Sequence, residues 1–141
     1  MIRLKLVSLS GPKFDEDVYE VLLPTIEGEI GVLPGHMSLV SVAKSGAIAI
    51  RRTPTERDDM MEYFAISGGV IEVTDNILTV LVDEADYADE INEQEAQNAF
   101  ELALKLKAEA KDQISLERAQ NLVDRSSVRL QVASLKRRRR S

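Results

Sequence analysis

His36 is the single histidine of the chain, and histidine is the side chain whose charge changes between pH 5 and 8. Acid–base catalysis would need a nucleophile or a carboxylate held at defined geometry beside it. The sequence instead puts His36 at the end of Gly28-Glu29-Ile30-Gly31-Val32-Leu33-Pro34-Gly35-His36. Three glycines and a proline in nine residues specify a loop path, because Gly permits positive φ and Pro fixes φ near one value. A histidine so placed reads as a loop residue bonded to backbone or to a partner protein. Glu29 reads as a solvated carboxylate at the tip of that loop. The sequence holds no cysteine, which removes thiol nucleophiles, disulfides and cysteine metal sites. Neither glycine-rich phosphate motif occurs, and Gly68-Gly69 before Val70-Ile71-Glu72-Val73 reads as a tight strand connection or a close backbone approach. No catalytic site and no metal site is expected.

Charge is the other source of chemistry. The formal net charge is −6, unevenly spread. Asp83 to Glu95 holds seven acidic residues and no basic one. It lacks the D-x-[DN]-x-[DN]-G calcium loop, and reads as a solvated linker with acidic residues at a helix start. Arg118, Arg125, Arg129 and the run Lys136–Arg140 make the C-terminus basic. Two readings stand open for these cations: a solvated helix face ending in a frayed tail, or a surface for an acidic partner or anionic lipid headgroups. An acidic body does not suit general nucleic-acid binding.

The elements that must position these residues change period along the chain. Up to about Val82 the pattern is strand-like. Ile2, Leu4 and Leu6 alternate with Arg3 and Lys5, and Val18–Leu23, Ala47–Ile50, Tyr63–Ile66, Val70–Val73 and Ile77–Val82 are further short β-prone runs. Turn chemistry bounds them at Gly11-Pro12, Lys44-Ser45-Gly46 and Thr74-Asp75-Asn76. This predicts an all-β sandwich of antiparallel strands over residues 1–86. From Asn92 the period becomes helical. Asn92 and Glu95 make a start signal. Ala96, Ala99, Ala103, Leu106 and Ala110, then Leu116, Ala119, Val123, Ser126, Leu130 and Ala133, form two seams that break near Lys111-Asp112-Gln113. An antiparallel α-helical hairpin is predicted over residues 87–141. Its Ala- and Ser-rich seam buries little apolar area per turn, so the helices should separate or undock at small cost. The longest apolar run, Ile77–Val82, is interrupted by Thr79 and far shorter than a membrane helix. The chain enters its first strand directly from Met1, and neither a signal peptide nor a transit peptide is expected.

The loop from Gly28 to His36 resembles the signature of the epsilon subunits of F-type ATP synthases (delta in mitochondria). Ser67-Gly68-Gly69-Val70-Ile71-Glu72-Val73, continuing through Asn76–Leu81, matches a second part of that pattern. The resemblance runs from about Met1 to about Leu135. It implies a non-catalytic rotor subunit of the central stalk, on the cytoplasmic face of a bacterial membrane and peripheral to it. Its partners would be the gamma subunit, the c-ring and the alpha/beta catalytic head, with no nucleic acid among them. By this resemblance Glu29 meets the polar loops of the c-ring, while Gly31, Pro34, Gly35 and His36 belong to the gamma-facing loop. Arg118, Arg125 and Arg129 would let an extended hairpin reach an acidic segment of the catalytic beta subunits and block rotation.

Some family members bind ATP as a regulatory ligand. The resemblance carries that site to Ile114, Arg118 and Ala119, with Arg125 and Arg129 beyond, and Ser115 stands where the motif has Asp. An alternative from another class is a free-standing ATP-sensing or adaptor module.

Overall fold

The computed structural model describes residues 1–140, with side chains through Lys136. Ten strands come first: β1 (Ile2–Ser8), β2 (Gly11–Val18), β3 (Glu20–Thr25), β4 (Gly28–Val32), β5 (Leu39–Ala43), β6 (Gly46–Arg51), β7 (Glu62–Ile66), β8 (Gly69–Thr74), β9 (Ile77–Val82) and β10 (Ala85–Tyr87). Two helices follow, α1 (Glu93–Glu109) and α2 (Gln113–Arg140). The strands form one layer ordered β10-β7-β6-β3, with β4 on the free side of β3, and a second ordered β5-β8-β9-β1-β2. The layers are continuous only where Thr25 of β3 pairs with Ala43 of β5. Inward-facing Leu4, Leu6, Leu23, Ile48, Ile50, Ile71, Leu78 and Val80 fill the space between them. Alternation along each strand places them there, since successive side chains point to opposite faces. At the far end the layers meet through rings: Phe14 of β2 lies edge-on to Phe64 of β7 at 5.8 Å, and Phe64 tilts against Tyr87 of β10 at 5.0 Å. Arg52 caps this stack. Its guanidinium carbon lies 5.4 Å from the centre of the Phe14 ring, and it pairs with Glu16 at 3.0 Å and Glu62 at 2.5 Å.

One pairing departs from the expected all-antiparallel arrangement. β1 runs parallel to β9, with Leu4 beside Leu78 and Leu6 beside Val80. Parallel neighbours need a long crossover rather than a hairpin, and here the whole chain from β2 to β8 makes it. Three strands also exceed what alternation in the sequence suggests. In β2 only Phe14 and Val18 are buried, so it carries little apolar signal. β4 contains two glycines, and β5 exposes Val40 and Val42. Tertiary pairing, not intrinsic propensity, makes these strands.

The helical half begins and turns where the sequence places it. The Asn92 side chain accepts a 3.0 Å bond from the Glu95 backbone N–H, an N-cap for α1. α2 opens on a cap of its own, the Ser115 N–H donating to Asp112 Oδ1 at 2.7 Å. The seam between the helices is narrower than the periodicity suggests. Ala96 and Ala103 of α1 and Ala119, Ser126 and Ala133 of α2 are buried, one small residue every seven. Ala99, Leu106 and Leu116 are exposed instead. Close approach through single small residues leaves larger neighbours on the flanks, outside the contact.

Candidate functional site

The glycine-rich stretch is not one loop. Gly28, Glu29, Ile30, Gly31 and Val32 form β4, with Glu29 opposite Pro24 and Gly31 opposite Leu22. This corrects the placing of Glu29 at a loop tip. The tip is Ile26-Glu27, and the Thr25 hydroxyl closes it by donating to the Gly28 carbonyl and accepting from the Glu27 N–H at 3.2 Å. Gly28 has φ +119°, a conformation that favours glycine. Glu29 remains exposed, and Ile26 projects beside it at 65% exposure.

The second half is a β-turn. The His36 N–H donates to the Leu33 carbonyl at 3.1 Å, with Pro34 and Gly35 between them and Gly35 at φ +83°. Proline then glycine with positive φ is the type II signature. The turn is anchored across the fold, since the Gly35 N–H donates to Asn76 Oδ1 at 2.7 Å. Asn76 belongs to the β8–β9 connection, where Asp75 and Asn76 both adopt positive φ and make a tight two-residue hairpin. His36 Nδ1 lies 2.7 Å from the Met37 carbonyl, so that nitrogen carries the proton and donates. Both bonds of His36 run to backbone carbonyls, those of Leu33 and Met37. The arrangement fixes a shape and does not suit proton transfer.

Beyond His36 the outer face of the second layer carries one apolar row, beside a polar one of Glu72, Thr79 and Lys5. Val42 pairs with Val70, Val70 with Leu81 and Leu81 with Val7, so four apolar side chains form a row across β5, β8, β9 and β1. Val40 and Met37 extend the patch towards His36 and are 73% and 78% exposed. Gly69, next to this row, is where a close approach needs glycine: a Cβ there would lie 1.9 Å from the Leu81 carbonyl oxygen. The glycine pair is thus structural.

The hairpin covers the outer face of the first layer over β6 and β7. Ala65, with Ala47 and Tyr63 beside it, packs against Ala88, Ile91, Ala96, Val128, Val132 and Ala133. An ionic strip runs alongside: Arg125 to Glu84 at 2.6 Å, Arg129 to Asp86 at 3.5 Å and Lys136 to Asp89 at 3.6 Å. Three carboxylates of the acidic stretch therefore face α2, where a solvated linker was expected. Periodicity alone could not reveal this, because β10 and α2 lie far apart in sequence. The one available signal was a run of carboxylates in one stretch and a stripe of cations in the other.

The residues suggested for ATP all lie on α2. Ala119 is in the seam, Ile114 is 64% exposed, and Arg118 is exposed. Arg125 and Arg129 already face carboxylates. A cleft of about 750 Å³ beside Arg125 is lined by Asp83, Glu84, Asp86 and Asp124 against the cations Lys13 and Arg125, a charge balance unsuited to a triphosphate. Among the described residues no group of His, Asp or Glu is spaced to hold a metal ion, and no helix is long and apolar enough to cross a membrane. The side chains of Arg137–Arg140 lie outside the described residues.

Residues 1–88 match the family described as the beta-sandwich domain of the ATP synthase delta/epsilon chain. The chain belongs to that family. Its likeness to whole curated members extends through the helices. It is 36% identical to the ATP synthase epsilon chain of Herpetosiphon aurantiacus, over 98% of both chains. The epsilon chain of Halalkalibacterium halodurans is 32% identical over 94% of this chain and 96% of its own. The chloroplastic epsilon chain of Marchantia polymorpha is 34% identical over 73% of each. Among solved structures, a chain of the Euglena gracilis mitochondrial ATP synthase superposes with a TM-score of 0.77 at 24% identity, covering 95% of this chain and 81% of that one. One from the Tetrahymena thermophila central stalk and c-ring gives 0.62 at 13% identity, over 94% and 96%. These two establish the fold, a sandwich followed by two helices. The family places the chain among the non-catalytic subunits of ATP synthase.

Proposed function

We propose that the chain is a rotor subunit of an F-type ATP synthase in which residues 1–86 clamp a gamma subunit to the c-ring and residues 87–141 form a movable brake. The observation that carries this reading is the contrast between the two outer faces of the sandwich. One is covered over β6 and β7 by the chain's own hairpin. The other presents Val42, Val70 and Leu81 bare, continuous with the anchored turn of Pro34, Gly35 and His36. A patch of that kind on a small protein marks a protein interface, and gamma is its proposed occupant. Glu29 and the tip at Ile26, at another corner of the sandwich, face the polar loops of the c-ring. Torque passes through a head whose two layers are tied by a continuous core. The chain performs no chemistry itself; hydrolysis and synthesis occur on the beta subunits. In a bacterium the assembled position is peripheral, on the cytoplasmic face of the cell membrane. When the hairpin extends, Arg118, Arg125 and Arg129 meet an acidic segment of the catalytic head and stop wasteful hydrolysis.

The test uses the assembled enzyme. Truncation after Ala88 is expected to leave gamma and c-ring co-purification and ion coupling intact while raising ATP hydrolysis several-fold. Unchanged hydrolysis would sink the brake. Val42→Asp with Leu81→Asp is expected to abolish co-purification with gamma, and retained assembly would sink the docking face. Tight binding of ATP to the isolated chain by titration calorimetry would favour the sensor alternative.

A further inference from the structure

Three features stand outside the reading above: the Arg52 clasp over Phe14, the exposed leucines at the tip of the hairpin, and the ion pairs beneath α2. The third carries an inference, which rests on the proposed brake. We infer that Glu84, Asp86 and Asp89 form an intramolecular latch that occupies Arg125, Arg129 and Lys136, so that the basic stripe is unavailable to an acidic partner until the latch opens.

The geometry favours a built surface over three separate pairs. At 100° per residue, positions 125, 129 and 136 fall within about 40° of one another on the helix. They span about 16 Å of helix axis at ~1.5 Å per residue. The segment from Glu84 runs through β10 to Tyr87 and then enters a 3-10 turn over Ala88–Glu90; at ~3.3 Å per extended residue and ~2.0 Å per 3-10 residue it covers about 14 Å, close to the span of the cations. The two rows can therefore lie side by side in register, as the three contacts require.

The acidic row is also fixed in advance. Its backbone is held by β10 pairing with β7, by the Ser67 N–H donating to the Glu84 carbonyl at 3.1 Å, and by the Glu84 N–H donating to Ser67 Oγ at 2.8 Å. The Lys136 ammonium donates to the Asp89 carbonyl at 3.3 Å as well as pairing with its carboxylate.

Each pair is partly exposed, and the Arg125–Glu84 side chains are 38% and 50% accessible. Such pairs are individually weak and screened by salt. Their joint effect adds to the small apolar cluster of Ala65, Ala88, Ile91, Val128, Val132 and Ala133 that holds α2 on the sandwich. Docked hairpin and engaged partner use the same cations. An acidic surface that binds α2 must first displace the chain's own carboxylates, so ionic strength and local acid density set the release.

The chain has no native cysteine, so dyes on Ser45→Cys and Asn121→Cys, both lining the cleft, can report docking in the full-length protein. The triple variant Glu84→Gln, Asp86→Asn, Asp89→Asn is expected to raise the undocked-to-docked ratio about tenfold at low salt. It should also flatten the response to added sodium chloride that the wild type shows. Glu84→Arg combined with Arg125→Glu should return the ratio towards the wild-type value. Poly-glutamate added in trans should undock the wild-type hairpin. A ratio that moves with neither the triple variant nor salt overturns the latch. If the triple variant undocks the hairpin in the isolated chain but hydrolysis by the assembled enzyme is unaltered, the latch stands and the brake falls.

Discussion

The sandwich and the hairpin both carry apolar side chains at regular intervals, yet they bury them very differently. Between the layers, Ile2, Leu4, Leu6, Leu23, Ile48, Ile50, Ile71 and Leu78 are fully enclosed. Between the helices the enclosed residues are Ala96, Ala103, Ala119 and Ser126. The branched residues Val128 and Val132 join the cluster formed with Ala65 and Ile91. Towards the tip, Leu102, Leu104, Leu106, Ile114, Leu116 and Leu122 are 37% to 64% exposed. Apolar burial scales with area, so stability is concentrated in the head. The arm is folded but lightly held. A rotor clamp needs the first property and a reversible brake needs the second.

The largest expected effect breaks the head. Leu78→Ala removes a fully enclosed side chain between Leu4 of β1 and Val73 of β8, and should lower stability by about 2–5 kcal/mol in urea unfolding. The same truncation at Leu116, already 38% exposed, should cost less than about 0.5 kcal/mol. Equal shifts at the two sites would end the contrast.

A mid-sized effect should separate local from global opening. Val132 is fully buried where α2 meets the sandwich. Val132→Ala deletes two methyl groups, about 1.5 kcal/mol at ~0.8 per carbon. The loss should appear as faster amide exchange in α1 and α2, with exchange in β8 and β9 unaltered. If β8 and β9 lose protection in parallel with the helices, the arm is part of one cooperative unit with the head.

Legibility in the sequence divides along the same line. Alternation in Ile2–Leu6 and Ile77–Val82 revealed those strands because each buries one face and wets the other. The turn at Asp75-Asn76 and the cap at Asn92 were visible because their chemistry is local. β4 was hidden, since Gly28 and Gly31 have no side chains to alternate. The parallel pairing of β1 with β9 was hidden because register between distant strands is set by the closed core, not by either strand alone. At the candidate site, Pro34 and Gly35 announced the turn, but its anchor on Asn76 could not be read. Likewise Arg125 and Arg129 drew attention as cations, while the carboxylates that hold them came into view only with the docked arrangement.

The smallest effect concerns the start of α2. Hydrogen bonds from the Ser115 backbone N–H, then from its hydroxyl, hold the Asp112 carboxyl below its ordinary value of 3.8. A carboxyl lowered on folding stabilises the folded form at pH values above its unfolded pKa. That contribution fades as pH falls through the lower folded value. The first turn of α2 should therefore fray in acid below about pH 4 while α1, capped by the neutral amide of Asn92, keeps its start. Asp112→Asn replaces the carboxylate with another good cap and should leave a helix start that no longer responds to pH in this range. The amide resonance of Ser115, followed through an acid titration, reads this directly. A wild-type resonance that stays fixed through the acid range would show that the arm begins without help from the charge. A resonance that moves in the wild type and stands still in Asp112→Asn would assign the response to that one carboxylate.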